Sequence, residues 1–241
     1  VTRRLAALVA VCTAFLPLPA ARASSYVTLA SGRRYLVAVE QRATPAAPTV
    51  VLLHGWTNTP ESVLRISGFG HVGALLRWNV VSGDALTDSW NAGLCCGTAV
   101  RDRVDDVAYL VDVVASLRLR GHLGPVWLAG FSNGGMLALR AGCERPLVFD
   151  AVASVSGTLV APCPHGIVRA RHLHGTDDPV VPYRGGWSAY CRVTFPPATT
   201  EAARVVPGVD YRLVAFRGAK HAWPPGATAY LRDFFAGVAA T

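Results

Sequence analysis

Gly130-Phe131-Ser132-Asn133-Gly134 fits the pattern G-x-S-x-G, in which a sharp turn presents a serine hydroxyl as a nucleophile. Val126 to Ala129 before it is an apolar run of strand length, and Asn133 to Arg140 after it reads as an apolar-rich helix. Strand, tight turn and helix are the setting such an elbow requires. The glycines have a steric reason, because a side chain two residues to either side of the serine would collide with the neighbouring strand or helix. An attacking serine needs a base to take its proton and a group to orient that base. Two later segments offer them in the order Ser, acid, His. Asp178 stands in His174-Gly175-Thr176-Asp177-Asp178-Pro179, directly after a strand at 171–174. His221 stands in Lys220-His221-Ala222-Trp223-Pro224-Pro225, after the last strand. Asp178 is preferred to Asp177, which the backbone aims differently. His221 is expected to take the Ser132 proton and return it to the leaving group, while Asp178 fixes the imidazole tautomer. The developing oxyanion needs two backbone N–H donors. Asn133, at the start of the helix, and Trp56, in the turn His54-Gly55-Trp56, are the candidates.

The remaining histidines have plainer readings. His71, His122, His165 and His172 are assigned to the surface or to packing, and His54 braces the loop after its strand. His54, Trp90, Asn91 and Trp223 are also candidate substrate contacts. Trp56, Trp90 and Trp223 all fall on loops around the serine, where flat rings suit aromatic acyl groups or polymer chains. Hydrophobic packing beneath those loops is the competing role, and for each ring it stays open.

The elements that must position these residues alternate. A hairpin is predicted from Tyr26–Ala30 and Arg34–Val39, a buried strand over Thr49–Leu53, and a helix in two pieces over Ser62–Arg77. A short strand over Asn79–Ser82 leads into a long Gly-, Cys- and Trp-rich loop from Asp84 to Gly97, a length that marks a functional loop. Val100 to Arg120 reads as one helix, with Val104, Val107, Ala108, Val111, Val114, Ala115 and Leu117 as its apolar face. Asp102, Asp105 and Asp106 near its start and Arg118 and Arg120 at its end complement the helix dipole. Strands at Ala151–Val155, 171–174 and Tyr211–Phe216 follow, then a closing helix over Thr228–Val238. Strands alternating with helices argue an α/β chain whose mostly parallel twisted sheet is covered by helices on both faces.

Composition sets the class and the compartment. The chain has 241 residues, 51% of them apolar and 16% charged, which fits a single well-filled domain and excludes disorder. Thr2-Arg3-Arg4, the uncharged stretch Leu5 to Pro19 and Ala21-Arg22-Ala23 form a predicted signal peptide over 1–23, cut before Ser24. Pro17, Pro19 and the short apolar length argue against a membrane span. A single domain over 24–241 is then expected outside the cell. The formal charge of +8 falls to +5 without Arg3, Arg4 and Arg22, and the basic residues are scattered, so nucleic acid is not an expected partner. Of six cysteines, Cys12 leaves with the signal. The odd number left, Cys95, Cys96, Cys143, Cys163 and Cys191, leaves at least one thiol outside intramolecular pairing. No CxxC or HExxH spacing accompanies them, so neither a metal nor any other cofactor is expected.

The run Ser89-Trp90-Asn91-Ala92-Gly93-Leu94-Cys95-Cys96-Gly97, followed by Val104-Asp105-Asp106-Val107, resembles the extracellular polyhydroxybutyrate depolymerase and feruloyl esterase-like group of α/β-hydrolases. Leu53-His54-Gly55, Gly130 to Gly135, His174 to Asp178 with Val181-Pro182-Tyr183, and His221 to Pro224 match its other blocks in order, over about Thr49 to Pro225. The resemblance implies an α/β-hydrolase fold, a triad of Ser132, Asp178 and His221, and a Trp90 loop flanking the substrate cleft. Where the chain departs from the group, Cys191 has no later cysteine to pair with and is the candidate free thiol, with Cys95 and Cys96 then bonded to Cys143 and Cys163 in an unassigned order. About a dozen residues join Val155 to the strand at 171–174, too few for a cap domain. The expectation is a monomeric, secreted serine esterase acting on hydroxyalkanoate oligomers or on feruloyl or acetyl esters, polymeric or polysaccharide-linked. A non-catalytic cell-wall or carbohydrate-binding protein on a hydrolase fold, and a serine peptidase, are the alternatives.

Overall fold

A computed structural model describes residues 24–163, 166, 169–204 and 209–239; the predicted signal peptide over 1–23 and His165 lie outside them. Strands β1 (Ser25–Thr28), β2 (Arg34–Val39), β3 (Thr49–Leu53), β4 (Asn79–Gly83), β5 (Val126–Phe131), β6 (Ala151–Val155) and β7 (Arg169–Gly175) lead to a small hairpin of β8 (Gly186–Ser188) and β9 (Val193–Phe195). After a 3-10 turn at Ala198–Arg204, β10 (Asp210–Phe216) completes the main sheet. Its order is β1-β2-β4-β3-β5-β6-β7-β10. β1 and β2 pair antiparallel at one edge, and from β4 to β10 every neighbouring pair is parallel.

Helices α1 (Pro60–Ser67), α2 (Phe69–Leu76), α3 (Gly97–Arg101), α4 (Asp106–Leu119), α5 (Asn133–Glu144) and α6 (Ala227–Ala239) cover the sheet. Alternate residues of the central strands feed two cores. Val51, Leu53 and Leu128 meet α4 and α5 on one face. Val50, Leu52 and Trp127 meet α1, α2 and α6 on the other. Central strands buried on both faces need near-continuous apolar sequence, and the five residues of β3 and of β6 are all buried. The predicted break in the first helix falls at Gly68, whose φ of 66° a residue without Cβ adopts at little cost.

One predicted helix is two. Residues 102–105 interrupt it, Arg103 has a φ of 52°, and the Asp105 side chain accepts the Ala108 N–H as the cap of α4. An aspartate gains more by satisfying a free donor at a helix start than by sitting inside a helix. The buried stripe is rotated from the predicted one, running through Asp106, Val107, Tyr109, Leu110, Val113, Val114 and Leu117. Asp106 does not merely complement a dipole: it is buried, 2.7 Å from the Arg33 guanidinium, and accepts the Asn91 N–H at 2.6 Å.

The disulfides also differ from the expectation. Cys143 pairs with Cys163, tying the end of α5 to the β6–β7 connection, and Cys95 pairs with its neighbour Cys96. Cys143 is buried near the end of α5 and Cys163 follows β6, while Cys95 and Cys96 lie in the loop between β4 and α3. Cys191 is free, as predicted.

Candidate active site

The parallel strands all end on one side of the sheet, and the loops there gather the candidate residues, as open α/β sheets do at their ligand sites. Ser132 follows β5 and has φ 54° and ψ −120°, a strained backbone that lifts its hydroxyl off the sheet. Two glycines make the turn possible. A Cβ on Gly130 would strike the backbone of Gly134, and one on Gly134 would strike the carbonyls of Leu53 and His54 at the end of β3.

From Ser132 a hydrogen-bonded chain runs inward. The Ser132 Oγ lies 2.9 Å from His221 Nε2, and His221 Nδ1 lies 2.7 Å from Asp178 Oδ2. Asp178 Oδ1 accepts the N–H groups of Val180 and Val181, each at 2.8 Å. Burial pushes the Asp178 carboxyl up, but hydrogen bonds from His174, His221 and the Val181 backbone outweigh it and hold the group well below the usual carboxylate range. Asp177 is exposed and faces Thr176 instead. The His221 loop is held from beneath by Ser156, whose hydroxyl donates to the Ala222 carbonyl at 2.8 Å, and the Phe131 ring packs against the imidazole.

Asn133 is the first residue of α5, where main-chain N–H groups have no partner within the helix. Its side chain accepts the Trp90 N–H at 2.7 Å and donates to the carbonyls of Trp90 and Cys95, each at 3.0 Å. The residue after the serine therefore pins the Trp90–Cys96 loop. A Cβ added to Gly55 would come within 3.4 Å of the Ser132 Cβ, so the turn before Trp56 runs close beside Ser132.

A cavity of about 260 Å³ opens above Ser132 and His221, walled by Trp56, Phe131, Val180, Tyr190 and Cys191. Of the candidate substrate contacts, Trp56 flanks this space, and its ring meets Tyr190 edge-on at 5.7 Å. His54, Trp90, Asn91 and Trp223 do not line it, which corrects the expectation for each. Trp90 is wholly buried, donates its indole N–H to the His54 carbonyl at 2.9 Å and stacks on Tyr109. His54 is buried with its Nδ1 2.8 Å from the Gly55 carbonyl, and desolvation lowers its pKa. Asn91 spends its polar groups on Val104, Gly93 and Arg140. Trp223 turns to the opposite core, bonding Thr228 and meeting Phe69. These side chains hold the loops from below, where packing offers more than solvent.

Sequence reasoning missed Tyr190, whose hairpin sits between the acid and the base in the chain with no motif to mark it. It also set His172 aside. The sulfurs of Cys95, Cys96 and Cys191 lie within 4.8 Å of one another, with the first two joined, so the group offers one thiol rather than three thiolates. Among the described residues no helix is long and apolar enough to cross a membrane.

A mostly parallel sheet with a strained serine turn after β5, an acid after β7 and a histidine after β10 is the α/β-hydrolase fold. The profile of a family described as Phospholipase/Carboxylesterase matches residues 115–195, a stretch holding Ser132 and Asp178. The chain is 31% identical over 144 residues to a putative esterase, NocK, of Nocardia uniformis subsp. tsuyamanensis, covering 57% of this chain and 42% of that protein. It is 31% identical over 128 residues to feruloyl esterase B of Piromyces equi, covering 48% of this chain and 22% of that protein. The chain thus spans less than half the length of either relative. Among solved structures, TT1662 from Thermus thermophilus superposes with a TM-score of 0.63 at 19% identity, covering 91% of this chain and 98% of that one. Est1E from Butyrivibrio proteoclasticus gives a TM-score of 0.59 at 14% identity, covering 90% and 99%. These two likenesses concern the fold.

Proposed function

We propose that the protein is a secreted serine esterase that cleaves carboxylic esters through an acyl-enzyme on Ser132. The observation that carries this reading is the unbroken hydrogen-bond chain from Ser132 through His221 to Asp178, opening onto a cavity. In the first half-reaction the Ser132 oxygen attacks the ester carbonyl while His221 Nε2 takes its proton. The N–H groups of Trp56 and Asn133 receive the oxyanion, and Asp178 stabilises the imidazolium. Collapse expels the alcohol, which carries off the proton from His221. Water, deprotonated by the same imidazole, then releases the acid and restores Ser132.

The substrates proposed are hydroxyalkanoate oligomers or feruloyl and acetyl esters of plant polysaccharide. An uncapped cavity edged by Trp56 and Tyr190 supports bulky or aromatic acyl groups. The basic n-region, apolar stretch and Ala21-Arg22-Ala23 of segment 1–23 support export. A fluorophosphonate should label the protein at Ser132 and leave Ser132→Ala unlabelled. Wild-type protein that escapes labelling and leaves p-nitrophenyl acetate intact would sink the esterase reading and leave the binding-protein alternative. Rates of ferulate release and of hydroxybutyrate release from soluble oligomers then separate the two substrate classes.

A further inference from the structure

Behind Asp178 lies a second chain of polar groups that the reaction just proposed does not use. His174 Nε2 is 2.8 Å from the Val181 carbonyl and 3.3 Å from Asp178 Oδ2. His174 Nδ1 is 2.7 Å from His172 Nε2, and His172 Nδ1 is 2.8 Å from Glu201 Oε2. All three side chains are essentially inaccessible to solvent.

Their protons can be counted. A carboxylate offers about four lone-pair sites. Three of those of Glu201 take the Thr158 hydroxyl, the Leu159 N–H and the Tyr211 hydroxyl, and this hydrogen bonding with His172 beside it keeps the carboxyl ionised despite burial, so the fourth site faces His172 Nδ1 as an acceptor. His172 Nδ1 must then carry hydrogen. His174 Nε2 must carry one too, because a carbonyl oxygen only accepts. With those two hydrogens alone, bare lone pairs of His172 Nε2 and His174 Nδ1 would face each other at 2.7 Å. One more proton has to lie between them.

We infer that His172 and His174 share a proton as a buried cation, held by Glu201, and that this unit positions Asp178 through Oδ2, the carboxylate oxygen that His221 also contacts. His172, His174 and Glu201 are thus positioning residues of the triad, reaching the serine only through Asp178. The cation spares Asp178 from being a lone buried charge, and the His174 N–H restricts how its carboxylate turns toward His221. Hydrogen bonds and the neighbouring histidine hold Glu201 below its ordinary pKa despite burial, in keeping with the ionised form.

The inference rests on the esterase reading for its kinetic consequence but not for its proton. In Ser132→Ala protein, long-range proton–nitrogen NMR should find hydrogen on His172 Nδ1 and His174 Nε2 and a far-downfield proton coupled to both facing nitrogens. In otherwise wild-type protein, Glu201→Gln should lower kcat on p-nitrophenyl acetate about tenfold with KM unchanged, at a temperature where both proteins are folded. Two neutral imidazoles, with His172 Nδ1 bare or no proton between the facing nitrogens, would overturn the inference, as would a folded Glu201→Gln enzyme with wild-type kcat. If Glu201→Gln does not fold, the NMR result on Ser132→Ala decides alone. An unlabelled, inactive wild type would remove the esterase reading while the NMR result still stood.

Discussion

Asp178 is the residue on which most of the site's polar groups converge, receiving His221, His174 and two backbone N–H groups. Asp178→Asn removes the charge that stabilises the imidazolium and favours the wrong tautomer, so kcat on p-nitrophenyl acetate should fall on the order of 10³–10⁴-fold. The same residue sets an acid limit on stability. Its folded pKa lies below the ordinary value of about 3.9, so its stabilising contribution is full above that value and is lost as pH falls through the folded pKa. The stability gap between wild type and Asp178→Asn, read by urea unfolding, should hold from pH 7 to about pH 4 and shrink below. Gly134→Ala is the second sharp test, because the added methyl meets the fixed carbonyls of Leu53 and His54. It should cost about 1–3 kcal/mol or more in the same assay, with activity lost alongside. The serine, acid and base positions were readable because each follows a strand within a short motif. Glu201 was not, since its partners His172 and Thr158 are 29 and 43 residues away and nothing local marks the pairing. Trp90 stayed undecided in the sequence because a tryptophan in a loop looks the same whether it points outward or under the loop.

At the scale of elements, the sequence pattern located every strand of the main sheet, and the errors fell where a side chain outbid the periodic pattern. Asp105 capped a new helix inside a run of apolar spacing, and the β8–β9 hairpin went unseen because three-residue strands carry too little alternation to register. The cysteines could not be paired from spacing, because four cysteines allow three connectivities. The Cys143–Cys163 bond joins α5, the helix that begins at the nucleophile, to the connection after β6. Cys143→Ser with Cys163→Ser should therefore lower stability by about 2–4 kcal/mol in denaturant unfolding. Peptide mapping without reductant should recover those two linked to each other and Cys191 open to alkylation.

Over the whole molecule, the site is divided among strands of unequal support. The proposed oxyanion turn follows β3 and the proposed nucleophile follows β5, both at the centre of the sheet, with neighbours on either side. The proposed base follows β10, which among the described residues pairs with β7 alone and keeps several residues partly exposed. Edge strands with fewer buried contacts open at lower cost than central ones. Heating should consequently end the proposed activity in a fixed order, with β10 fraying and withdrawing His221 while the β3–β5–β6 centre is still intact. Hydrolysis of p-nitrophenyl acetate would then fail several degrees below the loss of far-UV ellipticity, and would return on cooling from that interval. The strand that brings the base to the serine is also the molecule's thermal fuse.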